Sequence, residues 1–242
     1  MSLLTVSGVR KSYGDRVVLD DVSMTVEQHD VICLIGSSGS GKSTLLRCLN
    51  LLEEIDDGVI SFDGAEISDP RVDARSVRSQ IGLVFQAYNL FPHLTVLDNC
   101  TLAPRLVHGL SRAEASQRAM SLLSRFGLED QAAKHPDRLS GGQQQRAALV
   151  RALCTSPRLL LLDEITAALD PELVGEVLSI VRAEAEAGMT MVLATHEMAF
   201  ARDIATSVCF LDEGRILEQG PPSEIFTSPR EERTRQFLRR VL

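Results

Sequence analysis

Val31-Ile32-Cys33-Leu34-Ile35-Gly36-Ser37-Ser38-Gly39-Ser40-Gly41-Lys42-Ser43-Thr44 decides the fold. Five consecutive apolar residues read as a strand buried on both faces. The next nine fit G-x-x-x-x-G-K-[ST], and the spacing of Leu45, Leu46 and Leu49 predicts a helix beginning near Lys42. Strand, glycine-rich loop and helix in that order make an anion cradle. Backbone N–H groups of the loop turn inward as a nest, and the helix start adds partial positive charge at the same point. In such a loop Lys42 reaches the outer phosphates of a nucleoside triphosphate, and the Ser43 hydroxyl ligates Mg²⁺.

A second stretch, Leu159-Leu160-Leu161-Leu162-Asp163-Glu164, supplies what that cradle lacks. Four apolar residues form a buried strand that delivers two carboxylates to its C-terminal end, the edge at which open parallel sheets bind ligands. Asp163 is placed to hold Mg²⁺ through water, and Glu164 to take a proton from an attacking water. Around these motifs the pattern alternates. Strands are expected at 3–6, 17–19, 22–26, 58–62, 81–85, 158–162, 190–194, 208–211 and 215–218. Helices are expected at 95–105, 111–126, 141–153, 171–187 and 197–204, with a basic amphipathic helix over 230–242 lying on the core. Ser111 and Glu114 make a capping box. The expected fold is α/β: a phosphate-loop domain with a mostly parallel sheet, an N-terminal antiparallel β subdomain and a helical subdomain. Residues 1–86 and 158–242 form the core with its β subdomain, and 87–157 the helical part.

Composition sets the outer bounds. The 242 residues carry a formal net charge of −8, with 44% hydrophobic and 24% charged residues. That is a globular mix with ample length for one substantial core. Acidic charge, 4% aromatic content and no Trp argue against coating DNA or stacking bases. Cys33, Cys48, Cys100, Cys154 and Cys209 form no C-x-x-C pair and read as reduced buried thiols. His29, His93, His108 and His135 read as surface residues. Neither a signal peptide nor a membrane-spanning run is evident, so a cytosolic chain is expected.

Leu139-Ser140-Gly141-Gly142-Gln143-Gln144-Gln145-Arg146 narrows the class further. Ser140, Gly141 and Gly142 make a second anion nest at a helix start, with Ser140 as N-cap. At this point the chain resembles the ATP-binding subunits of ABC transporters, whose signature is Leu-Ser-Gly-Gly-Gln. The resemblance extends over nearly the whole chain. It implies ATP and Mg²⁺ as ligands and a head-to-tail homodimer in the ATP-bound state, in which Ser140, Gly141, Gly142 and Gln143 of one copy contact the ATP held by the other. It implies that Tyr13 stacks on adenine, that Gln86 touches Mg²⁺ and the attacking water and hinges the helical part, that His196 contacts the γ-phosphate, and that Asp170 lies in a loop crossing the dimer interface. Ile165-Thr166-Ala167 stands where many relatives have Pro-Thr-Ser, so proline's φ restraint and one hydroxyl are missing.

Within the family, Val84 to Val96 is similar to the stretch that lines the groove for a membrane subunit in importers. Tyr88, Leu90 and Phe91 are candidate contacts there, or alternatively core residues. The 190–202 and 170–174 stretches resemble the polar amino acid uptake group. The implied partners are two membrane-spanning permease subunits and, through them, an extracytoplasmic solute-binding protein, with no nucleic acid beyond ATP. The implied location is peripheral, on the cytoplasmic face of the inner membrane. With the chain ending near Leu242, no added C-terminal regulatory domain is expected. The alternative is an ABC ATPase of a lipoprotein-release or cell-division complex, with the same catalytic residues and a different groove.

Overall fold

The computed structural model describes residues 2–242. In chain order its elements are β1 (Ser2–Tyr13), β2 (Arg16–Glu27), β3 (Val31–Ile35), α1 (Lys42–Leu49), β4 (Asp57–Phe62), β5 (Ala65–Glu66), α2 (Ala74–Arg78) and β6 (Ile81–Val84). There follow α3 (Val96–Leu106), α4 (Arg112–Arg125), α5 (Gly141–Leu153), β7 (Leu159–Asp163), α6 (Pro171–Glu186), β8 (Met191–Ala194), α7 (Met198–Ile204), β9 (Ser207–Asp212), β10 (Arg215–Gly220), α8 (Pro222–Ile225) and α9 (Glu232–Val241).

Two sheets organise the chain. Six strands run in the order β10-β9-β3-β8-β7-β6, all parallel but for the β10 hairpin, and four run antiparallel in the order β2-β1-β4-β5. Strand β3 is central and buried along its whole length, as expected for a parallel sheet covered on both faces. Alternate residues split between two cores. Val31, Cys33 and Ile35 join Leu160, Leu162 and the inner faces of α3 to α7. Ile32 and Leu34 join Leu159, Leu161, the apolar stripe of α1 and the antiparallel sheet. All five cysteines are buried and unpaired.

The register fixes the geometry at one edge. Leu34 pairs with Ala194, Asp163 with Ala194, Ile35 with Phe210, and Val84 with Leu162. The C-terminal ends of β3, β8, β7, β6 and β9 therefore lie side by side. The loops that follow them carry Gly36–Thr44, Thr195–His196, Glu164, Gln86 and Asp212.

Local chemistry explains the helix boundaries. Ser111 and Ser140 each head a reciprocal capping box, with Glu114 and Gln143 at the third helical position. Some expectations need correction. The strand expected at 3–6 runs from Ser2 to Tyr13, because β2 pairs with it along its length, and 17–19 and 22–26 are a single strand. Asp21, at φ 58°, forms a bulge between the Lys11–Leu19 and Val9–Val22 pairs, and the bulge breaks the alternation without breaking the strand. The last helix begins at Glu232 rather than Arg230, because the Arg230 and Glu231 amides bond the Glu218 carboxylate instead.

Helices α3, α4 and α5 pack on one another beside the sheet, and a buried amide sets the chain that leads into them. Asn99 of α3, 1% exposed, accepts from the Phe91 N–H at 2.8 Å and donates to the carbonyls of Phe91, Leu94 and Thr95. Replacing Asn99 with Ala orphans these groups in the 91–95 turn. We expect a loss of about 1–3 kcal/mol, read as a lower urea midpoint at unchanged slope. A midpoint equal to wild type would show that the amide does not hold this segment.

Candidate active site

The loop after β3 is built where only glycine fits at two points. At Gly36, φ 150°, a Cβ would lie 2.1 Å from the Leu211 carbonyl oxygen. At Gly41, φ 109°, it would lie 2.9 Å from the Val18 carbonyl oxygen. The loop is thus clamped between β9 and β2 before α1 begins. Lys42 opens α1 with its side chain folded back, donating to the carbonyls of Gly36 at 3.0 Å and Ser37 at 3.1 Å. The ammonium is 3% exposed. Ser40, in the same loop, has a buried hydroxyl with no partner among the described residues.

From β7 come the carboxylates. The Ser43 hydroxyl donates to Asp163 Oδ1 at 2.7 Å. Glu164 sits at φ 44°, a left-handed conformation unfavourable for its side chain, and is held there by its N–H to the Ala194 carbonyl. Its Oε1 lies 3.5 Å from Lys42 Nζ and 2.9 Å from His196 Nε2. The loops after β3, β7 and β8 thus bring Lys42, Ser43, Asp163, Glu164 and His196 into one cluster, although up to 154 positions separate them. Burial pushes the Asp163 carboxyl above its ordinary value near 3.8, against the opposing Ser43 bond. Burial likewise holds the Lys42 ammonium below its ordinary value near 10.5, against the pull of Glu164.

The other expected residues, outside the loop at 36–44, make no hydrogen bond or ion pair with this cluster among the described residues. Gln86 follows β6, exposed, with no side-chain hydrogen bond among the described residues. Tyr13 ends β1 with its ring 45% exposed and Lys11 Nζ over the ring at 5.3 Å. An exposed ring beside α1 is a free stacking face. Asp170 stands at the N-cap of α6 without using its carboxylate as a cap. Ser140 is exposed, and its hydroxyl accepts the Gln143 N–H. The Gly141–Gly142 pair faces Tyr88, Leu169 and Leu173, not the loop at 36–44.

Sequence reasoning missed how the segment after Gln86 is held. Arg151 of α5 donates to the carbonyls of Tyr88, at 3.2 Å, and Asn89. The Tyr88 hydroxyl reaches the Ala168 carbonyl at 3.4 Å. Tyr88 and Leu90 are half-buried against the core, whereas Phe91 is 44% exposed with its ring 6.0 Å from that of His93. The signal for Asn99 was a polar residue on the apolar face of α3. Arg151 gave none, since its partners are carbonyls.

Comparison with known proteins places this geometry. The family model described as ABC transporter matches residues 19–167. The chain is 50% identical to the glutamine transport ATP-binding protein of Geobacillus stearothermophilus, over 97% of each chain. It is 48% identical to the L-cystine import ATP-binding protein of Bacillus subtilis, over 99% of each. Among solved structures it is similar to a dimeric ATP-binding cassette in a post-hydrolysis state bound to ADP and phosphate. That similarity has a TM-score of 0.83 and 31% identity, covering 90% of this chain and 98% of the other.

The burial of the two ions makes a stability prediction. Asp163 binds a proton more tightly in the folded chain than in the unfolded one. Its contribution is therefore unfavourable above its folded pKa and vanishes below its ordinary value. Asp163→Asn should raise the melting temperature of the nucleotide-free protein at about pH 7, with the gap closing as pH falls towards about 4. A variant that melts below wild type at neutral pH would contradict this assignment of the buried charge.

Proposed function

The chain belongs to the ABC transporter family of ATP-binding subunits and is an ATP hydrolase; from that premise we propose that it drives uptake of polar amino acids and that the residues gathered above perform the hydrolysis. The observation that carries the catalytic reading is the cluster of Lys42, Ser43, Asp163, Glu164 and His196 at one sheet edge. The solute class is supported by near-complete coverage of relatives named for glutamine, cystine and glutamate transport.

Each side chain has one task. N–H groups of 36–44 receive the triphosphate, and Lys42 turns from its own loop carbonyls to the β- and γ-phosphate oxygens. Ser43 and Asp163 offer two hard oxygen donors 2.7 Å apart. No cluster of three or more His, Cys, Asp or Glu able to hold a metal exists among the described residues. That donor set fits Mg²⁺, which is commonly held by one or two side chains together with substrate phosphates. When bound, Mg²⁺ supplies charge neutralisation at the β- and γ-oxygens. Gln86, exposed and without a side-chain hydrogen bond among the described residues, meets that site and the water. Glu164 takes the proton of the water whose oxygen forms the new bond to the γ-phosphorus, as the bond to the ADP oxygen breaks. His196, now bonded to Glu164, turns to the γ-phosphate, and Tyr13 packs on adenine.

Because Gly141–Gly142 is turned away from its own loop, a second copy completes the site. Ser140, Gly141, Gly142 and Gln143 of one copy close on the ATP of the other, with Asp170 at the interface. Residues 1–86 and 158–242 act as the nucleotide-binding core and 87–157 as the helical part. No helix among the described residues is long and apolar enough to cross a membrane. On the reading supported by relatives named as transport ATP-binding proteins, two permease subunits hold the dimer at the cytoplasmic membrane face, with a solute-binding protein on the far side.

Glu164→Gln keeps shape and removes the base. Turnover should fall by about 10²–10⁴-fold, while ATP still binds and still drives dimerisation seen by light scattering. Wild-type turnover in this variant would overturn the role of Glu164. Phe91→Glu tests the partner surface. An exposed position tolerates the charge in the free subunit, so melting temperature and basal hydrolysis should stay near wild type. Against a permease helix the charge is unpaired, and co-purification and uptake should be lost. An undisturbed transporter would remove Phe91 from the docking surface.

A further inference from the structure

Helix α9 takes no part in the chemistry above, yet it lies behind the phosphate loop. Phe237 packs on Phe210 of β9, ring centroids 5.2 Å apart. One turn earlier, Arg233 grips the end of β9, with Nε and Nη2 at 2.8 and 2.7 Å from Asp212 Oδ2. Asp212 is 6% exposed. Its neighbours in the chain touch the loop. The Leu211 carbonyl is what excludes a side chain at Gly36, and the Gly214 N–H donates to the Ser40 carbonyl at 3.1 Å. A cavity of about 290 Å³ joins Asp212 and Arg233 to Ser37, Ser38 and His196.

A buried carboxylate in that place matters for a polyanion. The helix start that favours phosphate contributes only about half a unit of positive charge. Asp212 carries a full negative unit, in surroundings that screen it poorly. Left alone, it would work against the helix start and oppose the triphosphate. Arg233 supplies the cancelling charge from a helix 190 positions further along the chain. Removing it would leave Asp212 buried and unpaired, which costs stability as well, so melting temperature is read beside binding. Its position behind the loop couples the pair to the bound anion.

We propose that Arg233 is a positioning residue for nucleotide binding: by neutralising Asp212 behind the phosphate loop, it sets the field in which the triphosphate is held. The inference rests on the proposed reading of 36–44 as the triphosphate site.

The test compares five chains in the Glu164→Gln background: the parent, Arg233→Gln, Arg233→Lys, Asp212→Asn and the Arg233→Gln/Asp212→Asn pair together. The readouts are equilibrium binding of ATP and melting temperature. Arg233→Gln should weaken ATP binding roughly tenfold, and Arg233→Lys should retain it. The double variant should return to within about twofold of the parent, because the uncompensated charge is gone. With Glu164 intact, Arg233→Gln should raise KM for ATP by the same factor with kcat little changed. Unchanged binding in Arg233→Gln would overturn the proposal. So would a double variant as weak as Arg233→Gln, which would make the pair a mere anchor for α9. A parent that does not bind ATP at all would take down the reading of the loop itself, and is distinguished by that result.

Discussion

An ammonium group shut away from water organises this molecule. Lys42 is nearly inaccessible, and a buried charge persists only if it is paired and hydrogen-bonded. Its partners are two carbonyls of its own loop and the Glu164 carboxylate. To make them meet, β3 and β7 must end at the same level with β8 between them, and the Leu34–Ala194 and Asp163–Ala194 pairings set that level. The sheet order, the strained backbone at Glu164 and the tight approach of Gly36 to β9 all serve this arrangement. It is unfavourable for the nucleotide-free fold, because burial works against both Lys42 and Asp163. On the proposed reading that is its use. Phosphate would give Lys42, and Mg²⁺ would give Asp163, better partners than the loop carbonyls and the Ser43 hydroxyl, so binding relieves what folding strained.

The same economy applies to the signature helix. The capping box of Ser140 and Gln143 satisfies the start of α5 internally, which lets this helix end stand at the surface with its anion-favouring pole free. Its glycines face Tyr88, Leu169 and Leu173. Tyr88 in turn reaches Ala168, and Arg151 of the same helix holds the Tyr88 and Asn89 carbonyls. The proposed docking segment, the signature helix and the loop leading to Asp170 are thereby tied within one chain. A displacement at Phe91 has a short physical route to both elements proposed to meet the second copy.

Much of this was legible because the phosphate loop and the carboxylates sit at strand ends, where an apolar run stops abruptly, and the signature sits at a helix start. The phosphate loop, the two carboxylates and α5, with boundaries at Gly141 and Leu153, could be read from residue order alone. The bulge at Asp21 could not, since one left-handed residue shifts the alternation and mimics a loop. Short α2 buries only Val77, which is too little for a period to show, and β5 has two residues. Within the site, the residue types pointed to phosphate chemistry, but the contacts that join them did not. Lys42 to Glu164, Tyr88 to Ala168 and Arg233 to Asp212 each link sequence-distant positions, and a charged residue at a loop or on a helix face looks the same whether solvated or paired.

The account stands on a site shared between two copies, and a mixed dimer addresses it most directly. A Lys42→Ala chain keeps its signature and lacks a working phosphate loop. A Ser140→Arg chain keeps its loop and blocks its signature by bulk. Either alone has no complete site, whereas their one-to-one mixture has one site complete and the other doubly impaired. Nucleotide retained per dimer after gel filtration, with Glu164→Gln in both chains, reads the difference. The account predicts no retained ATP for either variant alone and one per dimer for the mixture. Retention by the Ser140→Arg chain as a monomer, or none in the mixture, would contradict a shared site.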